Sequence, residues 1–190
     1  DMKIRSLLEA RNEARNIILS VGKFLEQNDA ILNDEEKTRT IDLNESLSNV
    51  THQLDVYIKE QNAEISYSLL PSIQAKTTDI TVLFQNLIEN GIKYNQSDKP
   101  TVHISHQIND EFLELKFEDN GIGIEEQYRT KVFQFFKRLH GSNEYEGTGI
   151  GLGLCRKIVQ NYNGSITIDG LENGGCSFVV RLPISIRIYD

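Results

Sequence analysis

Residues 112–124 read FLELKFEDNGIGI, an alternating apolar run that passes directly into an acidic, glycine-containing loop. Alternation with a period of two predicts a β-strand with one buried face. Residues 102–108 carry a similar pattern, and Asn109 and Asp110 lie between the two runs as a tight turn. Two strands joined by so short a turn pair antiparallel, which argues against a doubly wound parallel sheet.

The apolar periodicities on both sides of this strand pair predict the other elements. Upstream they predict a strand at 40–43, a helix capped by Asp42 or Asn44 that runs to about residue 61, a strand at 65–69, and a helix capped by Thr78 or Asp79. Downstream they predict short helices within 125–136, a helix at 151–162, and strands at 165–168 and 176–182. This order predicts an α+β fold, a two-layer α/β sandwich whose mixed, mostly antiparallel sheet carries helices on one face.

Residues 1–35 are predicted to form a separate element. Alternating steps of three and four residues from Ile4 to Leu32 meet apolar side chains at seven of nine positions, which is a heptad seam of the kind that packs against partner helices. We therefore expect a long N-terminal helix in a bundle between chains, and a helix folded back on its own domain is the alternative. The polar run at 33–37 separates it from a domain predicted over residues 40–186.

Composition narrows the class of function. The chain has 190 residues, 38% of them apolar, and a net charge of −8, unlike proteins that bind nucleic acid or anionic membranes through a basic surface. An acidic chain that binds an anion needs local positive potential from backbone N–H groups, a metal ion or a few cations. Cys155 and Cys176 fit no zinc or disulfide pattern, and no apolar run is long enough to span a bilayer. We expect a cytoplasmic segment without membrane contact, even if the parent protein is membrane-anchored.

The first stretch with candidate functional residues is 86–95, NLIENGIKYN. On a helix, Asn86, Asn90 and Lys93 form one polar stripe. Amide oxygens on such a stripe can hold Mg²⁺ while the ion keeps waters and takes phosphate oxygens, and a lysine one turn further on can reach the same phosphates. A solvated helix face is the alternative for this stretch alone.

Two glycine clusters follow. In the first, Asp119 stands at a strand end before Gly121 and Gly123, where a carboxylate can accept a hydrogen bond from an exocyclic amine and so distinguish adenine from guanine. Alone, this pattern is more often a plain turn. The second cluster, residues 147–153, leads into a helix whose first N–H groups can bind an anion, and it lacks the ending of a Walker loop. Between the clusters, residues 132–136 are predicted core anchors, and Arg138 beyond them suits a phosphate oxygen.

Together and in this order, these stretches resemble the ATP-binding domain of sensor histidine kinases, within the gyrase, chaperone, histidine kinase and MutL ATPase superfamily. Residues 86–95 resemble the N box of that family, 119–123 its first glycine box, 133–136 its F box and 147–153 its second glycine box. The resemblance covers residues 42–182. It departs from the family pattern at Gly91 and Gly153, where alanine is usual.

The resemblance implies a role for each position. Asn90 would be the main Mg²⁺ ligand with Asn86 beside it, and Asn90, Lys93 and Arg138 would serve catalysis. Residues 139–146 would be the ATP lid. The nucleotide-binding residues would be Asn86, Asn90, Lys93, Tyr94, Asp119, Gly121, Gly123, Gly147, Thr148, Gly149, Ile150, Gly151 and Leu152.

The same resemblance implies partners. None of His52, His103, His106 and His140 fits the phospho-acceptor pattern, so the acceptor is expected on a dimerisation helix outside this chain, with residues 1–35 similar to the second helix of that hairpin. The γ-phosphate of ATP would pass to that histidine within a homodimer, and then to a response-regulator receiver domain. The alternative is a nucleotide-gated interaction module or an anti-sigma-type serine kinase of the same superfamily. Hydrolysing relatives place a glutamate where this chain has Gln85 and Asn86.

Overall fold

The structure, a computed structural model, describes residue 15 and residues 37–135, 149–172, 174–183 and 188–189. The helix predicted within 1–35, apart from residue 15, lies outside these ranges, as do the predicted lid and the site residues Arg138, Gly147 and Thr148; all of them stay predictions. The described elements in chain order are β1 (Arg39–Asp42), α1 (Leu43–Gln53), α2 (Asp55–Glu60), β2 (Glu64–Tyr67), β3 (Ser72–Ala75), α3 (Thr77–Lys93), β4 (Thr101–Ile108), β5 (Phe112–Asp119), two short 3-10 helices (Glu126–Tyr128 and Lys131–Phe133), α4 (Gly151–Asn161), β6 (Ser165–Gly170), β7 (Cys176–Pro183) and β8 (Ile188–Tyr189).

The main sheet has five strands in the order β2-β4-β5-β7-β6. β2 runs parallel to β4, and the other three pairs are antiparallel. The predicted α+β sandwich with a mixed, mostly antiparallel sheet is therefore confirmed. A second sheet, β1-β3-β8, is also present; its strand β1 was predicted, whereas β3 and β8 were not.

The core lies between this sheet and the helices α3 and α4. Along β5, Leu113, Leu115 and Phe117 are buried while the residues between them are partly exposed, as alternation requires. Phe84 of α3 meets Phe117 edge to face, with ring centroids 5.5 Å apart, a favoured aromatic geometry. α3 packs over β4 and β5, and α4 over β6 and β7. The helix stripe of residues 86–93 thus lies beside the carboxyl end of β5.

Two predicted helix boundaries were wrong. The helix predicted to reach residue 61 is two helices, because the chain turns at Leu54, which keeps its side chain in the core. α3 begins at Thr77 and not after Thr78 or Asp79, and no side chain caps it. Asp79 is buried and accepts a hydrogen bond from the hydroxyl of Tyr162 instead. The short helices predicted within 125–136 are present, as the two 3-10 helices.

Other boundaries follow the local signals. The Asp42 carboxylate accepts a hydrogen bond from the backbone N–H of Asn44 and so caps α1. After α4, Asn163 adopts a left-handed φ of 56°, which ends the helix before Gly164. Within the described ranges, no helix has the length and hydropathy needed to cross a bilayer.

Candidate active site

The carboxyl-terminal half of α3 presents Asn86, Asn90 and Lys93 on one partly exposed stripe, opposite the buried Leu87 and Ile88. Within the described residues, no hydrogen bond involves the side-chain amide of Asn90. That amide therefore keeps its oxygen available for a ligand. The arrangement matches the polar stripe predicted from the sequence.

The next residues continue the stripe. The ammonium of Lys93 lies 5.1 Å from the ring centroid of Tyr94, within the range of a cation–π contact. The backbone N–H of Tyr94 closes α3 on the carbonyl of Asn90 at 3.0 Å. The carbonyl of Tyr94 in turn accepts the N–H of Ile122, also at 3.0 Å. The end of α3 is thereby joined directly to the first glycine cluster.

Asp119 ends β5 and is mostly buried. Its Oδ1 accepts hydrogen bonds from the backbone N–H of Gly121 at 2.8 Å and of Cys176 at 3.2 Å. Burial raises the pKa of Asp119 to about 6, although these two hydrogen bonds favour the ionised form. Within the described residues, no hydrogen bond reaches Oδ2. One carboxylate oxygen is thus held by the fold and the other can accept from a ligand.

Small residues bring α3 and the Asp119 loop into contact. A Cβ placed on Gly91 would lie 3.1 Å from the Cβ of Asp119 and 2.7 Å from Cγ2 of Val102. A Cβ on Gly121 would overlap the carbonyl oxygen of Tyr94. The two elements therefore approach more closely than residues with side chains would permit.

The described part of the second glycine cluster, residues 149–153, lies against the same region of α3. Gly149 has a φ of 69°, and Ile150 stands before α4 without a side-chain cap. The Nδ2 of Asn86 donates to the carbonyl of Val82 at 2.8 Å, and a Cβ on Gly151 would overlap the Oδ1 of Asn86. The start of α4 is thus packed against the polar stripe of α3.

The last two residues of the second cluster, Leu152 and Gly153, pack against the domain. Leu152 is partly buried against the core, and Gly153 is buried with the Phe135 ring over it, where a Cβ would lie 2.8 Å from Cδ1. The predicted core role of the phenylalanine run holds for Phe133, which is buried. Phe135 is half-exposed and instead connects this run to α4.

One contributor to the site was missed from the sequence. Gly175 and Cys176 approach Asp119 from the turn before β7, and a Cβ on Gly175 would overlap the Asp119 carbonyl oxygen. Gly174 and Gly175 both have positive φ. The paired glycines in the sequence predict a turn, but they do not predict that this turn contacts Asp119. Burial raises the pKa of the Cys176 thiol to about 12, so this cysteine contributes its backbone N–H and not a reactive thiolate.

The chemistry of the Asn90 amide can be compared with the needs of a Mg²⁺ ion. Within the described residues, no cluster of three or more His, Cys, Asp or Glu side chains could hold a metal ion. The Asn90 amide without an internal hydrogen bond is an oxygen ligand of the kind Mg²⁺ accepts alongside waters and phosphates. The chemistry of the Asn90 amide thus fits the predicted Mg²⁺ ligand, and the site itself stays a prediction.

Known proteins share sequence similarity with the segment that forms this site. Residues 75–186 match the model of the histidine kinase-, DNA gyrase B- and HSP90-like ATPases. Cyanobacterial phytochrome A of Nostoc sp. is 39% identical over 131 residues, which cover 68% of this chain and 17% of that protein. Sensor protein RprX of Bacteroides fragilis is 32% identical over 154 residues, 78% of this chain and 30% of that protein. The chain therefore spans less than a third of either relative.

The fold is also found in a solved structure. The nucleotide-free catalytic domain of histidine kinase ThkA superimposes with a TM-score of 0.67 over 77% of this chain and 95% of that one, at 24% identity. At that identity the likeness concerns the fold alone.

Proposed function

The chain belongs to the histidine kinase-, DNA gyrase B- and HSP90-like ATPase family, and on that premise we propose that it is the Mg·ATP-binding catalytic domain of a two-component sensor histidine kinase. The domain transfers the γ-phosphate to a histidine on a dimerisation helix outside this chain. The phosphohistidine then donates its phosphate to an aspartate of a response regulator, and the complete protein acts as a homodimer through a bundle that includes residues 1–35.

One observation carries the proposal. Three elements distant in sequence meet around one small region: the stripe of α3, the Asp119 loop and the start of α4. Each supplies groups that suit a different part of one ligand. A nucleotide is the ligand class that needs an amine acceptor, a metal site and an anion site side by side.

At the base end, the Oδ2 of Asp119 accepts a hydrogen bond from the exocyclic amine of adenine. Guanine carries an oxygen at the equivalent position, which would face a carboxylate and leave it unpaired. A buried polar group without its partner costs considerably more than a missing contact. The site therefore selects ATP over GTP.

At the phosphate end, this acidic chain supplies positive potential locally. Asn90 is the main Mg²⁺ ligand with Asn86 beside it, and a bound Mg²⁺ neutralises charge on the phosphate oxygens. Lys93 and the N–H groups of residues 149–151 bind the same phosphates, and Gly147, Thr148 and Arg138 add to this set. The domain contributes positioning and charge neutralisation, which are the main requirements of phosphoryl transfer.

The nucleophile comes from the acceptor helix. An imidazole nitrogen attacks the γ-phosphorus, the bond to the bridging β-phosphate oxygen breaks, and ADP leaves. Gln85 and Asn86 stand where hydrolysing relatives place a glutamate, and their amides donate to Glu89 and to the Val82 carbonyl, both at 2.8 Å. An amide cannot accept a proton from water at neutral pH, so the domain favours transfer to histidine over hydrolysis.

Calorimetry tests the proposal directly. Mg·ATP should bind to the 190-residue chain, Mg·GTP should bind far more weakly, and Asn90→Ala should abolish the part of the affinity that depends on Mg²⁺. Asn109→Ala, in the turn between β4 and β5, is the matched control and should bind as the wild type does. With labelled ATP, the chain alone should gain no acid-labile phosphate, whereas a separate helical hairpin bearing an acceptor histidine should. Absence of Mg·ATP binding by the wild type would refute the assignment.

A further inference from the structure

Asn120, between Asp119 and Gly121, has an exposed side chain that makes four hydrogen bonds. Its Oδ1 accepts from the Nδ2 of Asn95 and from the backbone N–H of Thr101, both at 2.7 Å. Its Nδ2 donates to the carbonyl of Lys99 at 3.1 Å and to the hydroxyl of Ser97 at 3.3 Å. All four partners lie within residues 95–101, which are the connection between α3 and β4 and the first residue of β4.

The geometry at Thr101 shows what this side chain replaces. The β4–β5 ladder ends at the pair Val102 and Asp119. One step further, the backbone N–H of Asn120 donates to the Thr101 carbonyl at 3.4 Å, but the Thr101 N–H bonds to the Asn120 side chain and not to its backbone. The side-chain amide therefore stands in for a main-chain carbonyl. This substitution satisfies the ladder while the backbone turns away towards Tyr94, where Gly121 and Ile122 meet the end of α3.

The 95–101 connection is fixed from its other side as well. The Nδ2 of Asn62 donates to the Asp98 carbonyl at 3.0 Å, and the Glu64 N–H donates to the Pro100 carbonyl at 2.8 Å. Lys99 forms an ion pair with Glu64. The connection is therefore held by β2 and by the turn before it. A hydrogen bond from Asn120 to the connection thus ties the Asp119 loop to a segment that is itself fixed.

We propose that Asn120 is a positioning residue that fixes the distance between the base end and the phosphate end of the nucleotide site. Asp119, which precedes Asn120 in the chain, reads the base. Asn95, which donates a hydrogen bond to Asn120, directly follows Lys93 and Tyr94 at the end of α3. Asn120 itself does not contact nucleotide. The inference rests on the proposed function, because it requires that one ligand reaches both Asp119 and the α3 stripe.

A positioning role predicts that loss of the Asn120 side chain lowers the affinity for one ligand, Mg·ATP, much more than the affinity for another, adenosine. Mg·ATP spans both ends of the site, so its affinity depends on their relative placement, whereas adenosine reaches only the Asp119 end. Asn120→Ala should weaken Mg·ATP binding at least about tenfold and adenosine binding by no more than about twofold, since a ligand that bridges two groups is penalised by a displacement of roughly 1 Å between them. Calorimetry measures the first constant and an NMR titration measures the second.

Three further variants complete the experiment. Asn120→Asp keeps the Oδ1 acceptor for Thr101 and Asn95 but loses the donor to Lys99, so its Mg·ATP affinity should fall between those of the wild type and Asn120→Ala. Asn95→Ala removes the same 2.7 Å bond from the α3 side and should show the same split if Asn120→Ala fails to fold. The matched control is Asn109→Ala, which loses side-chain bonds to the N–H groups of Glu111 and Phe112 at the opposite end of β5. Urea unfolding should show that Asn109→Ala is less stable than the wild type, while its affinities for Mg·ATP and adenosine stay unchanged.

The outcomes separate this inference from the proposed function. A wild-type chain that does not bind Mg·ATP contradicts the function itself. A wild-type chain that binds, with Asn120→Ala and Asn95→Ala binding Mg·ATP equally well, contradicts only the positioning role. Equal losses for Mg·ATP and adenosine also overturn it, because they would mean that Asn120 acts on Asp119 alone or on the fold as a whole.

Discussion

Replacing Asp119 with asparagine should lower nucleotide affinity while raising the stability of the domain at neutral pH. The Oδ1 of Asp119 already accepts from the N–H groups of Gly121 and Cys176, so the asparagine must keep its oxygen on that side. Its NH₂ group then stands where Oδ2 was. A donor would face the adenine amine, which is also a donor.

The loss in binding follows from that clash. A hydrogen bond to a charged acceptor is worth about 1.5–3 kcal/mol, so Asp119→Asn should weaken Mg·ATP binding by about 10- to 150-fold. A part of the selectivity for adenine over guanine should disappear with it. Calorimetry with both nucleotides measures these changes.

The gain in stability follows from the pKa. The folded protein raises the pKa of Asp119 from 3.8 to about 6, so the folded state holds this proton more tightly than the unfolded state does. That contribution stabilises the fold below about pH 4 and is lost as pH rises through 6, which makes the ionised carboxylate cost up to about 3 kcal/mol at pH 7. Asparagine has no charge to bury, so the variant should be more stable than the wild type at pH 7 by up to that amount and no more stable at pH 4.

Urea unfolding at the two pH values measures this difference. Asp169→Asn, which neutralises an exposed aspartate on β6, is the matched control and should change neither stability nor binding. If Asp119→Asn lost stability at pH 7 in proportion to its loss of binding, the aspartate would be a structural residue and the base-reading role would be wrong.

Two further predictions concern the same region. Gly91→Ala should destabilise the domain by about 1–3 kcal/mol despite the better helix propensity of alanine, because the new Cβ would meet Cγ2 of the fully buried Val102 at 2.7 Å; Gly153→Ala should be near neutral in urea unfolding, since the ring it meets, Phe135, is half-exposed and can move. Equal effects of the two variants would contradict this reasoning. Adenosine affinity should fall about tenfold from pH 7 to pH 5 as Asp119, with its pKa of about 6, becomes protonated; a flat profile in an NMR titration would show that the ionised carboxylate is not the acceptor.

Local patterns in the sequence were sufficient for several features of the site. The alternation at 112–117 and the turn at Asn109 predicted the β4–β5 hairpin, and spacing along one helix predicted the stripe of Asn86, Asn90 and Lys93. These features depend on periods of 2 and 3.6 residues, which short segments express by themselves. The order of the motifs added the family, which the comparison of residues 75–186 supports.

The local sequence pattern gave a wrong prediction at the start of α3, where Asp79 was a candidate helix cap. Asp79 has the sequence context of a helix cap, but its carboxylate accepts from Tyr162, 83 residues away, and Tyr162 also takes the N–H of Lys76. Asp79 lies inside the first turn of α3 and not before it. Only the packing of α4 against α3 brings Tyr162 to Asp79.

The sequence by itself determined which groups are present: a carboxylate after a strand, amides on a helix, and glycines before a second helix. The tertiary structure decided which atoms of those groups remain available to a ligand. The N–H of Cys176, 57 residues from Asp119, occupies one carboxylate oxygen, the start of α4 lies against Asn86, and Asn120 binds the connection that follows α3. The physical reason is that a hydrogen bond between distant segments depends on how the whole sheet and its helices pack, and no spacing along the chain specifies that distance.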